Sequence, residues 1–409
     1  MSGPFEGVKI VDLTTMLSGP WATSILGDQG ADVIKVEVPG KGDHVRSLGN
    51  QRGGMSSMFL NINRNKRSVT LDLKKPEGRD LLLRIAETAD VFVQNFRPGV
   101  VERLGVGYED VAGVNPNIVY MSLSGFGEKG PWVHKPVYDP VIQALSGLTT
   151  IQAGSDEERP RLVRTVLPDK FSAMTASQAI GAALFRRERT GRGQHVRLSM
   201  LDAILQFLWA SDYGAQTYPD AEVSNQAAAS FIDLIYETKD GYMTVAVMSD
   251  REWHGLCKAL EREEWLEDER FATPSARDEH VDERLELTQQ VLLERTTDEW
   301  MRILEACGVP CAPALTRNGV VEHPQVVASE VLVETEHPAA GRLRQTRNAA
   351  RFQGSPATHR AGAPQLGEHC TEVLSALGLS EADIVALHKR GIIGGENDPA
   401  LRAYSAAAE

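Results

Sequence analysis

GVKIVDLTTMLSGPWATSILGDQGADVIKVE, residues Gly7–Glu37, alternates extended and helical patterns. Val8–Leu13 reads as a strand. Ser18-Gly19-Pro20 follows, and Pro20 suits a first helical turn because its fixed φ is already helical. Trp21–Gln29 reads as a short helix with Gly30 as its C-cap, and Asp32–Glu37 as a second strand. Strand, helix, strand is the unit of a parallel sheet.

The alternation continues outward. Lys41–Ser57 is Gly-rich and polar, hence a loop. Ser68–Leu73, Asp90–Phe96 and Ile118–Leu123 read as strands, with a helix from Pro76 to about Ala89. A short helix is expected near Pro140–Thr150, and a turn at Thr190–His195 leads into a strand to Ser199. The expected fold class is therefore α/β, with a Rossmann-like open sheet. Gly125–Gly130 (GFGEKG) fits GxGxxG after a strand, but Pro131 and Pro136 follow where a dinucleotide fingerprint must enter a helix. It reads as a loop, which argues against a nicotinamide cofactor.

At 409 residues the chain exceeds one compact core, so two domains are expected. Residues 1–217 form the first part of the large domain and 218–230 a small, polar linker. Residues 231–330 form an inserted α+β domain, and 331–409 return to the large one. In the small domain, Phe231–Thr238 and Tyr242–Met248 flank a turn at Lys239-Asp240-Gly241. Helices follow at Asp250–Leu260, His280–Glu294 and Thr297–Cys307, with Thr297 as N-cap of the last. Arg342–Arg351 is expected to rejoin the sheet domain in extended form. Ser380 and Asp383 make a capping box.

A net charge of −13 argues against nucleic acid or an anionic membrane as main partner. Four scattered cysteines give no zinc or disulfide framework, and no metal site is expected. MSGPFEG lacks a signal-peptide pattern and no run is long enough to span a membrane. A cytoplasmic location is expected.

Chemistry concentrates in RTVLPDKFSAMTASQAIGAALFRRER, Arg164–Arg189. Pro168 cannot continue a helix backwards, and Asp169 opens a helical pattern with Phe171, Met174, Ile180, Ala183 and Leu184 on one face. Asp169 is either an N-cap or a nucleophile. As a nucleophile it would be kept ionised by the helix dipole, worth about 0.3–1 kcal/mol, and would attack an activated acyl group. No GxSxG, HExxH or Walker A pattern competes. Lys66-Arg67, Lys74-Lys75, Arg97 and Arg103 lie near expected strand ends, the ligand edge of an open sheet, and together suggest a phosphate-bearing ligand. Asn95-Phe96 offers a hydrogen bond and a stacking face, or core. Tyr138 reaches a bound thioester, or packs.

The ordered motifs GVKIVDLT with LSGP, GADVIKVE with PGKGD, NKRSVTLDLKKPEG, ADVFVQNFRPGV with ERLG, SGFGEKGP, YDPVIQALSGL, PDKFSAMTA, TGRGQ, GVPCAPA and LGEHCTEVL span nearly the whole chain. On them the chain resembles the class III (CaiB/BaiF-type) CoA-transferases, a family that includes formyl-CoA transferase, carnitine CoA-transferase and α-methylacyl-CoA racemase. The resemblance implies an interlocked homodimer. It implies coenzyme A and acyl-CoA as substrates, a carboxylic acid as second substrate and no tightly bound cofactor. It places the family's nucleophilic aspartate on Asp169. It places CoA contacts on Leu17 and Ser18, on Leu71, Asp72, Leu73 and Lys74, on Asn95, Phe96 and Arg97, on Arg103, on Lys135, Val137 and Tyr138, and on Met200. Leu17, Val38 and Pro136 stand where formyl-CoA transferases carry Gln, Arg and Lys, and their glycine-run lid has no counterpart between Asn225 and Ile232. These departures point away from oxalate and formyl-CoA as substrates. Tyr138 also stands where the racemases carry their histidine base, and a phenol titrating near ~10 is a poor base at neutral pH. The expected activity is CoA transfer through an aspartyl anhydride and an aspartyl-CoA thioester. The alternatives are a racemase-like isomerase and a non-catalytic acyl-CoA binder.

Overall fold

The computed structural model describes residues 3–219 and 234–407. Most of the expected linker, the segment 231–233 and the place of the lid between Asn225 and Ile232 lie outside them. Two compact units emerge, 1–225 with 331–409, and 226–330.

In the first unit six strands form one parallel sheet: β1 (Lys9–Asp12), β2 (Asp32–Glu37), β3 (Lys66–Thr70), β4 (Val91–Gln94), β5 (Val119–Ser124) and β6 (Gln194–Ser199). Their order is β3-β2-β1-β4-β5-β6. The direction of winding reverses between β1 and β4, the point where open α/β sheets leave a crevice outside their carboxyl ends. Period two sets the two faces. Val11, Phe92 and Tyr120 pack with Leu81, Leu82 and Ile85 of α2 (Pro76–Glu87) and with Val373 and Leu374 from the returning C-terminal segment. Ile10, Val33, Val91, Val93, Val119 and Met121 face α1 (Ser18–Asp28) and α4 (Leu167–Thr190). Between them in sequence lies α3 (Asp139–Leu145), and α5 (Met200–Trp209) follows β6.

Helix α4 corrects two expectations. It begins at Leu167 with Val166 as N-cap, so Asp169 is not the cap but the third residue of the first turn. Its buried face is Ser172, Ala173, Ala176, Ile180, Ala183 and Leu184, whereas Met174 is 55% exposed. The alanines let α4 approach the sheet and α1 closely, while Ile180 and Leu184 bury enough apolar surface for about 1.5–3 kcal/mol each. Gly191 ends the helix at φ 68°, a left-handed position that glycine adopts without steric cost. Helix α1 begins at Ser18, earlier than Trp21, with Pro20 inside its first turn. Gly19 is required there: a Cβ would lie 2.4 Å from Thr14 Cβ.

In the second unit Ile235–Glu237 pairs antiparallel with Tyr242–Val245, which pairs with Cys311–Pro313. Helices at Asp250–Ala259, Val281–Leu292 and Thr297–Ala306 close over Trp253, Trp265, Phe271 and Trp300. The cap of the last is Thr296, one residue before the expected Thr297, in a capping box with Glu299. Back in the first unit, Gly341–Thr346 is extended, in a hairpin with Leu332–His337 that is separate from the six-stranded sheet and not part of it. Ser380 and Asp383 form the expected box at Glu381–Lys389. Among the described residues no helix is long and apolar enough to cross a membrane.

Candidate active site

A helix that precedes a parallel strand runs back across the sheet, so the first turn of α4 sits at the carboxyl edge. There it meets the start of α1 and of α3. The Asp169 N–H, one of the free donors of the first turn, gives a 3.1 Å hydrogen bond to Asp139 Oδ2. Asp139 is 2% exposed, and its other oxygen accepts Gln143 Nε2 at 2.6 Å, one turn along α3. The Gln143 amide continues to Thr165 O at 3.1 Å and takes the Val163 N–H on its oxygen at 3.0 Å. Asp139 thus caps α4 from a neighbouring helix, and Gln143 fastens the chain entering it.

The half-buried Asp169 carboxylate accepts a hydrogen bond from Ser18. Burial, and then the Asp139 carboxylate beside it, push its pKa up to about 7, against the opposing Ser18 bond. This corrects the expectation that the helix dipole keeps it ionised. The rise from 3.8 corresponds to about 4 kcal/mol, several times the dipole's contribution of about 0.3–1 kcal/mol. Burial also raises Asp139, against the Gln143 and Asp169 N–H bonds.

The loop that presents Ser18 is held from three sides. Thr14 N and Oγ1 bond Asp12 Oδ1 at 2.9 and 2.5 Å. Thr15 exchanges two bonds with Asn95 across the β1–β4 crevice, at 2.9 and 2.7 Å. Met16 donates to Asp43 Oδ1 at 3.1 Å and takes φ 69°, strained for a residue with a Cβ. Behind the loop lies a fully buried ion network. Asp12 pairs with Lys66 at 2.8 Å and Lys35 with Asp43 at 2.9 Å, all four side chains 0% exposed.

Ser18 and Asp139 each engage Asp169, and Leu17 is the residue before α1. Val137 and Met200 share an apolar cluster with Ile142 and Leu148. Tyr138 is 68% exposed. Lys74, Arg97 and Arg103 are exposed cations, and Lys135 Nζ lies 3.3 Å from the centre of the Trp132 ring. Asp72 accepts the Lys74 N–H at 3.1 Å. The side chain of Leu71 is 1% exposed, with Leu73 and Phe96 against the same core, so Leu71 offers a ligand its backbone only. Lys66 and Arg67 are not at the ligand edge. They begin β3, where Lys66 closes the buried network and Arg67 pairs with Asp32 and Glu372. Lys75 is spent on the carbonyls of Arg390 and Gly391. Gln143, Asp43 and Asp12 escaped the sequence reading. The Asp139–Gln143 spacing of four on one helix was the available signal for the first.

An acidic group at the switch point, with exposed cations in the segments after β3 and β4, suits a carboxylate reacting with a phosphate-bearing substrate. The family model for CoA-transferase family III matches residues 5–370. The chain belongs to CoA-transferase family III. Among similar family members, the human succinyl-CoA:glutarate CoA-transferase is 34% identical over 91% of this chain and 85% of its own length. The acetyl-CoA:oxalate CoA-transferase of Acetobacter aceti is 34% identical over 90% of this chain and 94% of its own. A CaiB/BaiF family protein from Brucella suis has a crystal structure that superposes with a TM-score of 0.81, at 31% identity, over 92% of this chain and 100% of that one. The names of the human and Acetobacter aceti relatives identify CoA thioesters as their substrates.

Proposed function

We propose that this family III enzyme moves CoA from an acyl-CoA to a carboxylic acid through covalent intermediates on Asp169. The Asp169 carboxylate attacks the thioester carbonyl, the C–S bond breaks, and CoA leaves as thiolate from a mixed acyl–aspartyl anhydride. The thiolate attacks the aspartyl carbonyl, forming an aspartyl-CoA thioester and releasing the donor's acid. The acceptor carboxylate attacks this thioester and expels the thiolate again. The thiolate then attacks the acceptor-side carbonyl of the new anhydride, giving the new acyl-CoA and regenerating Asp169. Each step trades one activated acyl bond for another, so no metal or external base is required.

The observation that carries this reading is the Asp169 carboxyl in contact with Ser18 and beside Asp139, titrating near 7. A more basic carboxylate is a better nucleophile, and at neutral pH about half of it is ionised. Ser18 and Asp139 orient it. Leu17, Leu71, Asp72, Leu73, Lys74, Asn95, Phe96, Arg97, Arg103, Lys135, Val137, Tyr138 and Met200 surround the CoA path, with Lys74, Arg97, Arg103 and Lys135 as cations for its phosphates. The assembly we expect is the interlocked homodimer, which light scattering measures.

Intact mass after incubation with a panel of acyl-CoAs tests the mechanism. An adduct on Asp169, released by hydroxylamine and absent in Asp169→Ala, is the expected outcome. CoA transfer that persists in Asp169→Ala, or solvent deuterium entering a 2-methylacyl-CoA without any adduct, would overturn it in favour of another nucleophile or of isomerisation.

A further inference from the structure

Three arginines, Arg159, Arg161 and Arg164, stand within six residues just upstream of α4. All three are exposed, and none of their guanidinium groups has an acceptor among the described residues. At the far end of the same helix the arginines are engaged: Arg187 pairs with Asp90 at 2.8 Å, and Arg186 bonds Arg192 O at 3.3 Å. In a chain of net charge −13, unpaired cations grouped at one spot ask for an anionic partner.

Arg164 is placed by the same amide that holds the acidic pair. Gln143 Nε2 lies 2.6 Å from Asp139 Oδ1, 3.1 Å from Thr165 O and 3.4 Å from Val163 O. The carbonyls on both sides of Arg164 therefore turn toward Gln143. The backbone of Arg164 is fixed one side chain away from Asp139, which in turn binds the Asp169 N–H. Its own side chain is left to solvent.

Two carboxylates at the reacting centre repel an incoming carboxylic acid, and a nearby cation offsets that repulsion. A guanidinium clamped on the reacting carboxylate would tie up the oxygens that must attack. On a second carboxylate of the same acid it takes a bidentate grip without that cost. We infer that Arg164, helped by Arg161, holds the distal carboxylate of a dicarboxylic acid whose other carboxylate exchanges CoA at Asp169. This inference rests on the Asp169 reading for its chemistry, and on the arginines alone for its selectivity.

Glutaryl-CoA and valeryl-CoA differ in the terminal carboxylate and share the CoA moiety, so they separate the two contributions. In the full-length protein, adduct formation on Asp169 is expected to be at least about tenfold more efficient with glutaryl-CoA. In Arg164→Gln, and more so in Arg161→Gln/Arg164→Gln, glutaryl-CoA loses that advantage while valeryl-CoA reacts at an unchanged rate. Arg164→Lys recovers part of it. Equal rates for the two thioesters in the parent protein overturn the inference. So does an equal loss for both in the variants, which would assign the arginines to CoA phosphates. If neither thioester modifies Asp169, the covalent reading fails separately. Calorimetric binding of free glutarate against valerate then decides the arginines: the inference stands on tighter glutarate binding that Arg164→Gln removes, and falls without it.

Discussion

Two groups of carboxylates lie close to the start of α1, and they behave in opposite ways. Behind the loop, Asp12 has two lysines: burial alone would raise it, but Lys66 and Lys35 outweigh burial and hold it well below the usual carboxylate range. In front, burial pushes Asp139 up, against the Gln143 amide, the Asp169 N–H and the charge of Lys170, with no direct ion pair among the described residues to hold it down. Asp169, with burial, Asp139 and one hydroxyl, titrates near 7. Burial is common to all three, so the neighbours decide the sign. A carboxylate matched with cations serves architecture, here the loop at Thr14–Met16. A carboxylate without a direct ion pair keeps a titrating group at the sheet edge.

The steepest loss should come from the carboxylate in front of the loop. Asp169→Ala should lower CoA transfer by about 10⁴-fold or more, measured by exchange of CoA between thioesters, with the unfolding midpoint not lowered. Breaking the other side should do the reverse. Lys66→Ala leaves Asp12 buried with Lys35 alone and should cost about 3–5 kcal/mol of stability by denaturant unfolding. Activity per folded molecule should survive as long as the loop does. An Asp169→Ala protein that unfolds easily, or a Lys66→Ala protein of full stability, would erase the distinction.

pH sharpens it. The folded pKa of Asp169 is about 7 against 3.8 unfolded, so between those values the folded state binds more protons. Its contribution to stability therefore falls as pH rises from about 4 to 7 and stays lost above. Asp169→Asn should remove that slope and be more stable than the parent at pH 8 by about 1–2 kcal/mol, with little difference at pH 4. Asp12 has the opposite sign: its stabilisation is present above the unfolded value and is lost only as pH falls through its depressed folded value. The smallest effect concerns Ser18. Its bond favours the charged form of Asp169, so Ser18→Ala should move the acid limb of the pH–rate profile upward and cost about tenfold at pH 7. A limb that stays in place would take Ser18 out of the site.

Much of the fold was legible because period and punctuation are local. Asp32–Glu37 was read to the residue, and the loop at Gly125–Gly130 was read correctly from Pro131. Asp169 stood out because Pro168 marks a helix start. The buried face of α4 was misread because Met174 and Ala173 differ in hydrophobicity in one direction and in burial in the other. An alanine is chosen where two backbones approach, which depends on the partner helix. Lys66 looked like a ligand-edge cation because sequence shows a charge beside a strand, not which end of the strand it occupies nor that Asp12 lies across from it.

The parallel α/β sheet, the place of Asp169 near a helix start and the family are legible in the chain alone, since these follow from local periodicity, chain order and motif content. The surroundings of that carboxylate come from segments that meet only when the chain folds. Its cap is Asp139, 30 residues away, its hydroxyl partner is Ser18, 151 residues away, and neither distance along the chain is visible as proximity. A pKa is fixed by desolvation and by charges a few ångströms off in any direction, so it belongs to the assembled site and to no segment of it.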